Sequence, residues 1–286
     1  MSGGTELYMS EDEIILTHIL QCRPIDLVLN KPALTVPQQE QFEDYKRRRQ
    51  AGEPLQYILG TCNFMGLELA VNPSVLIPRP ETEQLVDAAI KYLTGNPDKE
   101  VMQVLDLGTG SGNIAIALAK FVGQSKIVTV DASPQALIVA RANARRHGVE
   151  DRIQFIHDDF FLSLQTRQSP WASACNSKVF DLIISNPPYI PTSQLSSLPR
   201  DVQKEPAAAL DGGEDGLNFY RIIIKYTPYL LRTGACLMME FGDGQAEAIK
   251  KLVEARKAFS NIDIIQDLAG RDRIISVRRF HGKVYH

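Results

Sequence analysis

Hydrophobic and polar residues follow two different periodicities along this chain, and the change between them falls near residue 100. Up to about residue 59, apolar residues such as Ile15 and Ile19 recur at the three- and four-residue spacing of amphipathic helices. Ser10 followed by Glu13 has the form of a capping box, which marks a helix start. We therefore predict that residues 1–60 form a helical N-terminal domain.

A short segment with another pattern separates the helical region from the rest. Apolar positions alternate around Gly66, which predicts a β-hairpin. The segment ends in Ile77–Glu83, where two prolines flank Arg79 and favour extended backbone before a helix at Gln84–Leu93. We assign residues 61–83 as a β-hairpin connector. Its rigid end is either a linker with a helix cap or a segment laid over the edge of a cofactor.

From Val101 onwards, short apolar runs alternate with amphipathic segments, as is typical of a mostly parallel sheet flanked by helices. The last two runs are joined only by Asp267–Arg273, which is too short for a parallel crossover, so they should pair antiparallel. Residues 84–286 are thus predicted to form an α/β domain with a Rossmann-like, mostly parallel seven-stranded sheet containing one reversed strand. The polar stretch between Phe160 and Ser177 is predicted to be a loop. The predicted strands are Val101–Leu107, Ile127–Val130, Ile153–Ile156, Phe180–Ser185, Ala235–Phe241, Ile262–Gln266 and Ile274–Arg278.

Composition narrows the class of protein without identifying it. The 286 residues are 44% hydrophobic and 23% charged, with a formal net charge of −3, which is ordinary for a globular protein. No apolar run approaches the roughly 20 residues that span a bilayer, and residues 1–6 lack a signal-peptide pattern. The four cysteines and five histidines form no metal-binding motif. We therefore expect a cytoplasmic protein with neither a metal site nor a membrane attachment.

The charge pattern argues against a protein that holds nucleic acid by electrostatics alone, because the chain is slightly acidic. A basic run, Lys46–Arg49, closes a predicted helix. It is either a solvated helix end, where cations suit the helix dipole, or a contact for an acidic or RNA-bearing partner. We expect a monomer without a stable nucleic-acid partner.

A glycine-rich turn follows the first predicted strand and opens a helix. In Gly108-Thr109-Gly110-Ser111-Gly112, the glycines permit a tight turn and let a ligand approach the helix N–H groups. The G-x-G-x-G spacing departs from the dinucleotide fingerprint, and no P-loop Gly-Lys-Ser/Thr follows. Asp131 ends the second strand, where a carboxylate accepts both ribose hydroxyls, unless it merely caps the helix near Pro134. This pair of features predicts a nucleoside-bearing ligand.

The ends of the third and fourth strands add groups that suit an adenosine ligand. Asp159 and Phe160 would bracket an adenine, the first accepting from its amine and the second stacking on its ring, unless Phe160 belongs to the core. The fourth strand ends in Asn186-Pro187-Pro188-Tyr189. Prolines cannot donate to a sheet ladder, so the strand stops in a stiff turn that fixes an amide, carbonyls and an aromatic ring. An adenosine ligand without a pyrophosphate suggests S-adenosylmethionine.

With these motifs in this order, the chain resembles the HemK/PrmC family of protein-glutamine N5-methyltransferases. The resemblance extends from about Arg47 to Arg278, and Ile77–Glu83 distinguishes it from the adenine-N6 methyltransferases that share Asn186–Tyr189. It implies a class I S-adenosylmethionine-dependent methyltransferase fold, with S-adenosyl-L-methionine as cofactor and S-adenosyl-L-homocysteine as product. It also implies that residues 1–60 dock a peptide chain release factor, whose Gly-Gly-Gln glutamine is methylated. Other matching segments are Gly52–Gly60, Glu205–Leu210 and Gly213–Leu217.

The implied reaction is attack of an amide nitrogen on the methyl group of a sulfonium. An amide is a poor nucleophile because its lone pair is delocalised, so its N–H groups must be held. The Asn186 side-chain oxygen and the Pro187 carbonyl would accept them, and Tyr189 would pack on the flat amide. Arg79 or Thr82 would close the site from the connector. The predicted residues are Asn186, Pro187 and Tyr189 for catalysis, Gly108, Thr109, Gly110, Ser111, Gly112, Asp131, Asp159, Phe160 and Asn186 for the cofactor, and Asn186, Pro187, Pro188 and Tyr189 for the acceptor.

Several alternatives stay open at this point. Glu205 or Asp211 would serve as a base, although a role in shaping their loop is the favoured interpretation. The same tetrapeptide would suit an adenine-N6 methyltransferase acting on DNA or RNA, since adenine N6 is another conjugated amino group. A third class is a non-catalytic module that binds an adenosyl ligand. The glycine spacing disfavours a nicotinamide dehydrogenase.

Overall fold

The computed structural model describes residues 9–30, 32–95, 99–166 and 180–280. Along the chain, helices come first, a two-stranded hairpin follows, and a seven-stranded sheet with its helices makes up the remainder. Cys175 and the part of the predicted loop after Thr166 fall outside the described ranges.

Among the described residues, four helices precede the hairpin, and the first starts as its sequence predicts. Ser10 Oγ accepts from the Glu13 N–H at 3.2 Å, and the Glu13 carboxylate accepts from the Ser10 N–H at 2.7 Å. These reciprocal bonds satisfy two donors that a helix start otherwise leaves free. The helices are α1 Glu11–Leu20, α2 Pro24–Asn30, α3 Val36–Gln50 and α4 Leu55–Leu59.

The basic run at the end of α3 is paired within the chain. Arg49 binds Glu11 of α1 at 2.8 Å and also lies 3.4 Å from Asp201, which belongs to the α/β part of the chain. Arg48 pairs with Glu53 at 2.6 Å. The run therefore fastens α3 to its neighbours, and Arg49 joins the helical region to the loop that follows the fourth sheet strand.

The hairpin consists of β1 Thr61–Phe64 and β2 Leu67–Ala70, which pair antiparallel through a two-residue turn. Met65 and Gly66 have φ values of 51° and 76°, as a tight hairpin turn of this hand requires at both positions. Helix α5, Pro80–Thr94, then begins at Pro80 rather than at the predicted Gln84. Proline fits the first helical turn because its fixed φ and missing N–H cost nothing there.

The main sheet has the strand order β5-β4-β3-β6-β7-β9-β8. Strand β9 runs antiparallel to both of its neighbours, and every other pairing is parallel, which confirms the predicted sheet with one reversed strand. The strands are β3 Met102–Leu107, β4 Ser125–Asp131, β5 Ile153–His157, β6 Phe180–Ser185, β7 Leu231–Glu240, β8 Phe259–Gln266 and β9 Asp272–Arg279.

The prediction of a loop directly after Phe160 is wrong, because a short helix starts there. The Asp159 carboxylate accepts from the N–H groups of Phe161 and Leu162 at 3.1 and 3.0 Å, which caps this helix. The helices of the sheet region, after α5, are α6 Asn113–Phe121, α7 Pro134–Arg146, α8 Phe160–Thr166, α9 Asn218–Tyr226 and α10 Ala246–Arg256.

Two apolar clusters cover the two faces of the sheet. Val104 packs in one with residues of α5 and α6, whereas its neighbour Leu105 packs in the other with residues of α9 and α10. From β3 the chain builds the sheet outward through β4 and β5, and from β6 it continues on the other side. The adjacent carboxyl ends of β3 and β6 therefore form the switch point at which open α/β sheets bind ligands.

Candidate active site

The glycine turn after β3 leaves room on one side and closes tightly on the other. Gly108, Gly110 and Gly112 have φ values of 81°, 54° and 85°, which L side chains rarely adopt. A Cβ at Gly108 or Gly110 would meet no atom within 4 Å, so open space borders the turn there. A Cβ at Gly112 would lie 2.9 Å from Ile116 and 3.1 Å from Ala140. Gly112 is thus required by the packing of α6 against α7.

Asp131 joins the glycine turn to the start of α7. One carboxylate oxygen accepts from the Gly110 N–H and the other from the Ser133 N–H, each at 2.8 Å. Burial raises the pKa of this carboxyl, and the two N–H bonds oppose that rise. Each oxygen keeps a further lone pair, so the arrangement is compatible with the predicted ribose contact, which stays a prediction.

Polar groups without partners are buried beside the turn. Within the described ranges, Ser111 Oγ and one oxygen of Asp106 have no hydrogen-bond partner. The other Asp106 oxygen accepts from Thr129 Oγ1 at 2.8 Å, and burial raises the pKa of Asp106 to about 7. Both residues are enclosed, with Asp106 0% and Ser111 1% exposed, so these two atoms lie behind the turn and not in the open space beside Gly108 and Gly110. Sequence reasoning gave Asp106 no role, although an acid two positions before Gly108 was a visible signal.

Asp159 and Phe160 are each engaged in local contacts. The Phe160 ring is only 3% exposed and packs with Leu107 and Val130 in the core. The exposed Asp159 caps α8 with its carboxylate. The structure thus gives both residues local roles in packing and capping. Their predicted contacts with an adenine stay predictions.

Thr82 and Glu240 hold the side chain of Asn186. Asn186 Nδ2 donates to Thr82 Oγ1 at 3.0 Å, and Thr82 Oγ1 donates to the Glu240 carboxylate at 2.7 Å. Glu240 is 1% exposed at the end of β7, and burial raises the pKa of Glu240 to about 7. Sequence reasoning did not select Glu240, although an acid that closes an apolar strand at the ligand edge was a usable signal.

Tyr189 is clamped between two loops. Its carbonyl accepts from Gln245 Nε2 at 3.0 Å, and a Cβ on Gly242 would lie 2.9 Å from its ring. A Cβ on Gly216 would lie 2.3 Å from the same carbonyl. Burial raises the pKa of the Tyr189 phenol to about 12, so it stays neutral. The loop with Gly242 therefore packs against the ring, while Gln245 and Gly216 lie at the Tyr189 carbonyl.

Glu205 fastens the connector beside the tetrapeptide. Its buried carboxylate accepts from the Ile77 N–H at 2.9 Å and from the Arg79 guanidinium. Asp211 similarly accepts from Thr192 Oγ1 at 2.6 Å and from the Gly213 N–H at 2.9 Å. Both acids are engaged in holding loops, which supports the structural interpretation over that of a base.

A narrow cavity of about 70 Å³ opens beside the tetrapeptide. Apolar side chains, among them Leu76 and Leu210, line it together with Asn186 and Pro187. In the part of the chain that the structure describes, no group of three or more His, Cys, Asp or Glu is arranged to hold a metal ion. Among the helices of these same ranges, none has the length and apolar character needed to cross a membrane.

Two family profiles match the chain. One, described as a methyltransferase domain, covers residues 98–266. The other, described as the PrmC N-terminal domain, covers residues 4–60. The first spans more than half of the chain and contains the glycine turn, Asp131 and Asn186–Tyr189.

Solved structures of low sequence identity share the fold. The hMettl16 catalytic domain, solved with MAT2A 3'UTR hairpin 6, has a TM-score of 0.57 at 13% identity, covering 88% of this chain and 84% of that one. A methyltransferase from Pyrococcus furiosus has a TM-score of 0.53 at 15% identity, covering 83% and 99%. At these identities the likeness concerns the fold alone, and the fold is that of class I methyltransferases.

Curated relatives are similar over most of their length. A release factor glutamine methyltransferase from Moorella thermoacetica is 39% identical over 273 residues, which cover 95% of this chain and 92% of the relative. One from Geobacter sulfurreducens is 44% identical over 232 residues, or 81% and 75%. By this similarity across both parts of the molecule, the chain belongs to the family of release factor glutamine methyltransferases.

Proposed function

We propose that this chain transfers a methyl group from S-adenosylmethionine to the side-chain amide nitrogen, N5, of the Gly-Gly-Gln glutamine in peptide chain release factors. One observation carries the proposal. The glycine turn follows β3, and Asn186 follows β6. These strands are parallel neighbours whose last residues, Leu107 and Ser185, are paired, so both segments lie at the same edge of the sheet. A donor held at the turn and an acceptor held at Asn186 then meet at the switch point.

The residues at the turn suit an adenosyl ligand. Open space borders Gly108 and Gly110, so a ligand can approach the backbone of the turn closely. Asp131 would hold the ribose hydroxyls. When bound, S-adenosylmethionine supplies an electrophilic methyl group on a sulfonium.

The acceptor side supplies position rather than a base. The Asn186 side-chain oxygen and the Pro187 carbonyl accept the two N–H groups of the substrate amide, so its nitrogen is aimed at the methyl group. Tyr189 packs against the amide plane, and the apolar wall with Leu76 and Leu210 suits the methylene groups of a glutamine. Positioning of this kind contributes up to roughly 7–11 kcal/mol to lowering a barrier.

The helical region is proposed to dock the protein substrate. In support, Arg49 pairs with both Glu11 of α1 and Asp201, so the helices are tied to the loop beside the acceptor cavity. Val202, the neighbour of Asp201, lines that cavity. We also propose that the enzyme acts in the cytoplasm, as a monomer and without stably bound nucleic acid.

Mass spectrometry of a release factor incubated with this protein and S-adenosylmethionine tests the proposal. The expected result is the mass increase of one methyl group on the glutamine of the Gly-Gly-Gln motif, absent with the Asn186→Ala variant. DNA and RNA oligonucleotides incubated in parallel are expected to stay unmodified. Methylation of adenine N6 with an unchanged release factor would overturn the proposal in favour of the adenine methyltransferase.

A further inference from the structure

The hydrogen bonds from Asn186 through Thr82 to Glu240 run in one direction. A hydroxyl has a single hydrogen, and Thr82 uses it to donate to the Glu240 carboxylate at 2.7 Å. Its lone pairs are then what it presents to Asn186, whose Nδ2 lies 3.0 Å away. The amide nitrogen therefore faces Thr82, and the amide oxygen is left on the other side.

The orientation of this amide matters because its two ends have opposite hydrogen-bonding properties. A half-turn of the Asn186 side chain would exchange an acceptor for a donor at nearly the same position. The amino group of an acceptor amide carries only donors, so it is held by the oxygen and repelled by the nitrogen. Some group in the protein must select between these two orientations.

We infer that Thr82 and Glu240 form a positioning pair that fixes the Asn186 amide with its oxygen towards the acceptor. This inference rests on the proposed function and identifies the residues that make Asn186 competent for it. Thr82 contacts Asn186 from the first turn of α5, and Glu240 closes β7. Neither side chain is assigned a contact with the reacting atoms.

Burial makes the arrangement selective. Thr82 and Glu240 are each 1% exposed, so water does not offer Thr82 a substitute acceptor. An ionised carboxylate only accepts hydrogen bonds, which keeps the hydroxyl hydrogen away from Asn186. Without that acceptor, the hydroxyl would donate to the Asn186 oxygen and occupy the atom that the substrate needs.

The matched variants Thr82→Val and Thr82→Ser test the inference. Valine keeps the shape of threonine and removes the hydroxyl, whereas serine keeps the hydroxyl and removes a methyl group. With saturating S-adenosylmethionine and a release factor as substrate, we expect Thr82→Val to lower kcat about 100-fold, the scale of a misplaced reacting group. We expect Thr82→Ser to keep kcat close to wild type, and both variants to bind S-adenosylmethionine as wild type does.

A second measurement does not depend on activity. In protein labelled with 15N at asparagine, we expect the Asn186 side-chain NH₂ hydrogens to exchange slowly with solvent in wild type and Thr82→Ser, and rapidly in Thr82→Val. Equal kcat values for the two variants, or equal exchange rates, would overturn the inference. A wild-type protein that fails to methylate the release factor would instead refute the proposed function, and the exchange rates would still decide the positioning role.

Discussion

Ser185 donates a hydrogen bond from its hydroxyl to the carbonyl oxygen of Leu107 at 2.7 Å, at the point where two central strands end side by side. The residues that follow them, Gly108 and Asn186, begin the two halves of the proposed site. The bond is buried, since Ser185 is fully enclosed. The distance between the proposed methyl-donor site and the proposed site of the substrate amide is thus set by a pair of neighbouring strands rather than by flexible loops.

Replacement of Asn186 should separate binding from chemistry. We expect Asn186→Ala to abolish methyl transfer, because the variant loses the oxygen that holds the acceptor amide. S-adenosylmethionine affinity should stay within a few-fold of wild type, since the glycine turn is untouched. Calorimetric titration checks the affinity, and mass spectrometry of the release factor checks the transfer. Loss of cofactor binding in this variant would contradict the role given to Asn186.

Replacement of Asp131 should instead weaken the binding of S-adenosylmethionine. Asp131→Ala removes the proposed ribose ligand and also frees the Gly110 N–H, which the carboxylate holds at 2.8 Å. We expect a large loss of S-adenosylmethionine affinity by calorimetry. Asp131→Asn is the matched control, because it keeps one acceptor oxygen and should lose less. An unchanged affinity in Asp131→Ala would move the ribose contact to another residue.

Two glycines of the same turn should respond differently to alanine. Both have positive φ, so each substitution strains the backbone by roughly 1 kcal/mol. Gly112→Ala adds a collision with Ile116 and Ala140, and overpacking costs about 1–3 kcal/mol more. Gly110→Ala places its methyl group in open space, so its main effect should be on cofactor affinity. Urea unfolding and calorimetry of both variants make the comparison, and equal destabilisation would contradict it.

Activity and stability should depend on pH in opposite directions. Burial and the nearby charge of Glu81 raise the pKa of Glu240 to about 7, while the bond from Thr82 and the charge of Arg273 oppose that rise. A protonated Glu240 can itself donate a hydrogen bond, so it no longer forces the Thr82 hydroxyl to donate to it. We therefore expect kcat at saturating S-adenosylmethionine to fall as pH drops through about 7. Activity in the Thr82→Val variant should lack this step.

The stability change follows from the raised pKa. The folded state favours neutral Glu240, so its contribution to stability is present below the ordinary glutamate pKa and is lost as pH rises through about 7. Asp106 titrates in the same direction, also with a pKa of about 7. The free energy of unfolding should therefore decrease between about pH 4.5 and about pH 7 and level off above that. Glu240→Gln should show a shallower decrease, and an identical slope would contradict the assignment.

Sequence periodicity predicts the order and direction of the sheet strands, because most of them contain an apolar run. It misses the starts of β7 and β8, which begin at Leu231 and Phe259 and not at the predicted Ala235 and Ile262. Its limits appear where a contact joins distant segments. Thr82 and Glu240 lie 158 positions apart, and only the packing of α5 beside β7 brings them together. Phe160 illustrates another limit, since an aromatic residue at a strand end suits a ligand and a core equally well. Folding decides between these, and here it places the ring in the core.

In the proposed site, the two groups that hold the entering side chain, the Asn186 oxygen and the Pro187 carbonyl, are both hydrogen-bond acceptors. A glutamate has nearly the shape of a glutamine but presents two acceptor oxygens and a negative charge. Sites built to hydrogen-bond a particular group reject analogues that lack it, because their own buried atoms are left unpaired. A release factor whose glutamine has been deamidated to glutamate would thus bind poorly at the acceptor site, and the enzyme would leave such damaged copies unmethylated.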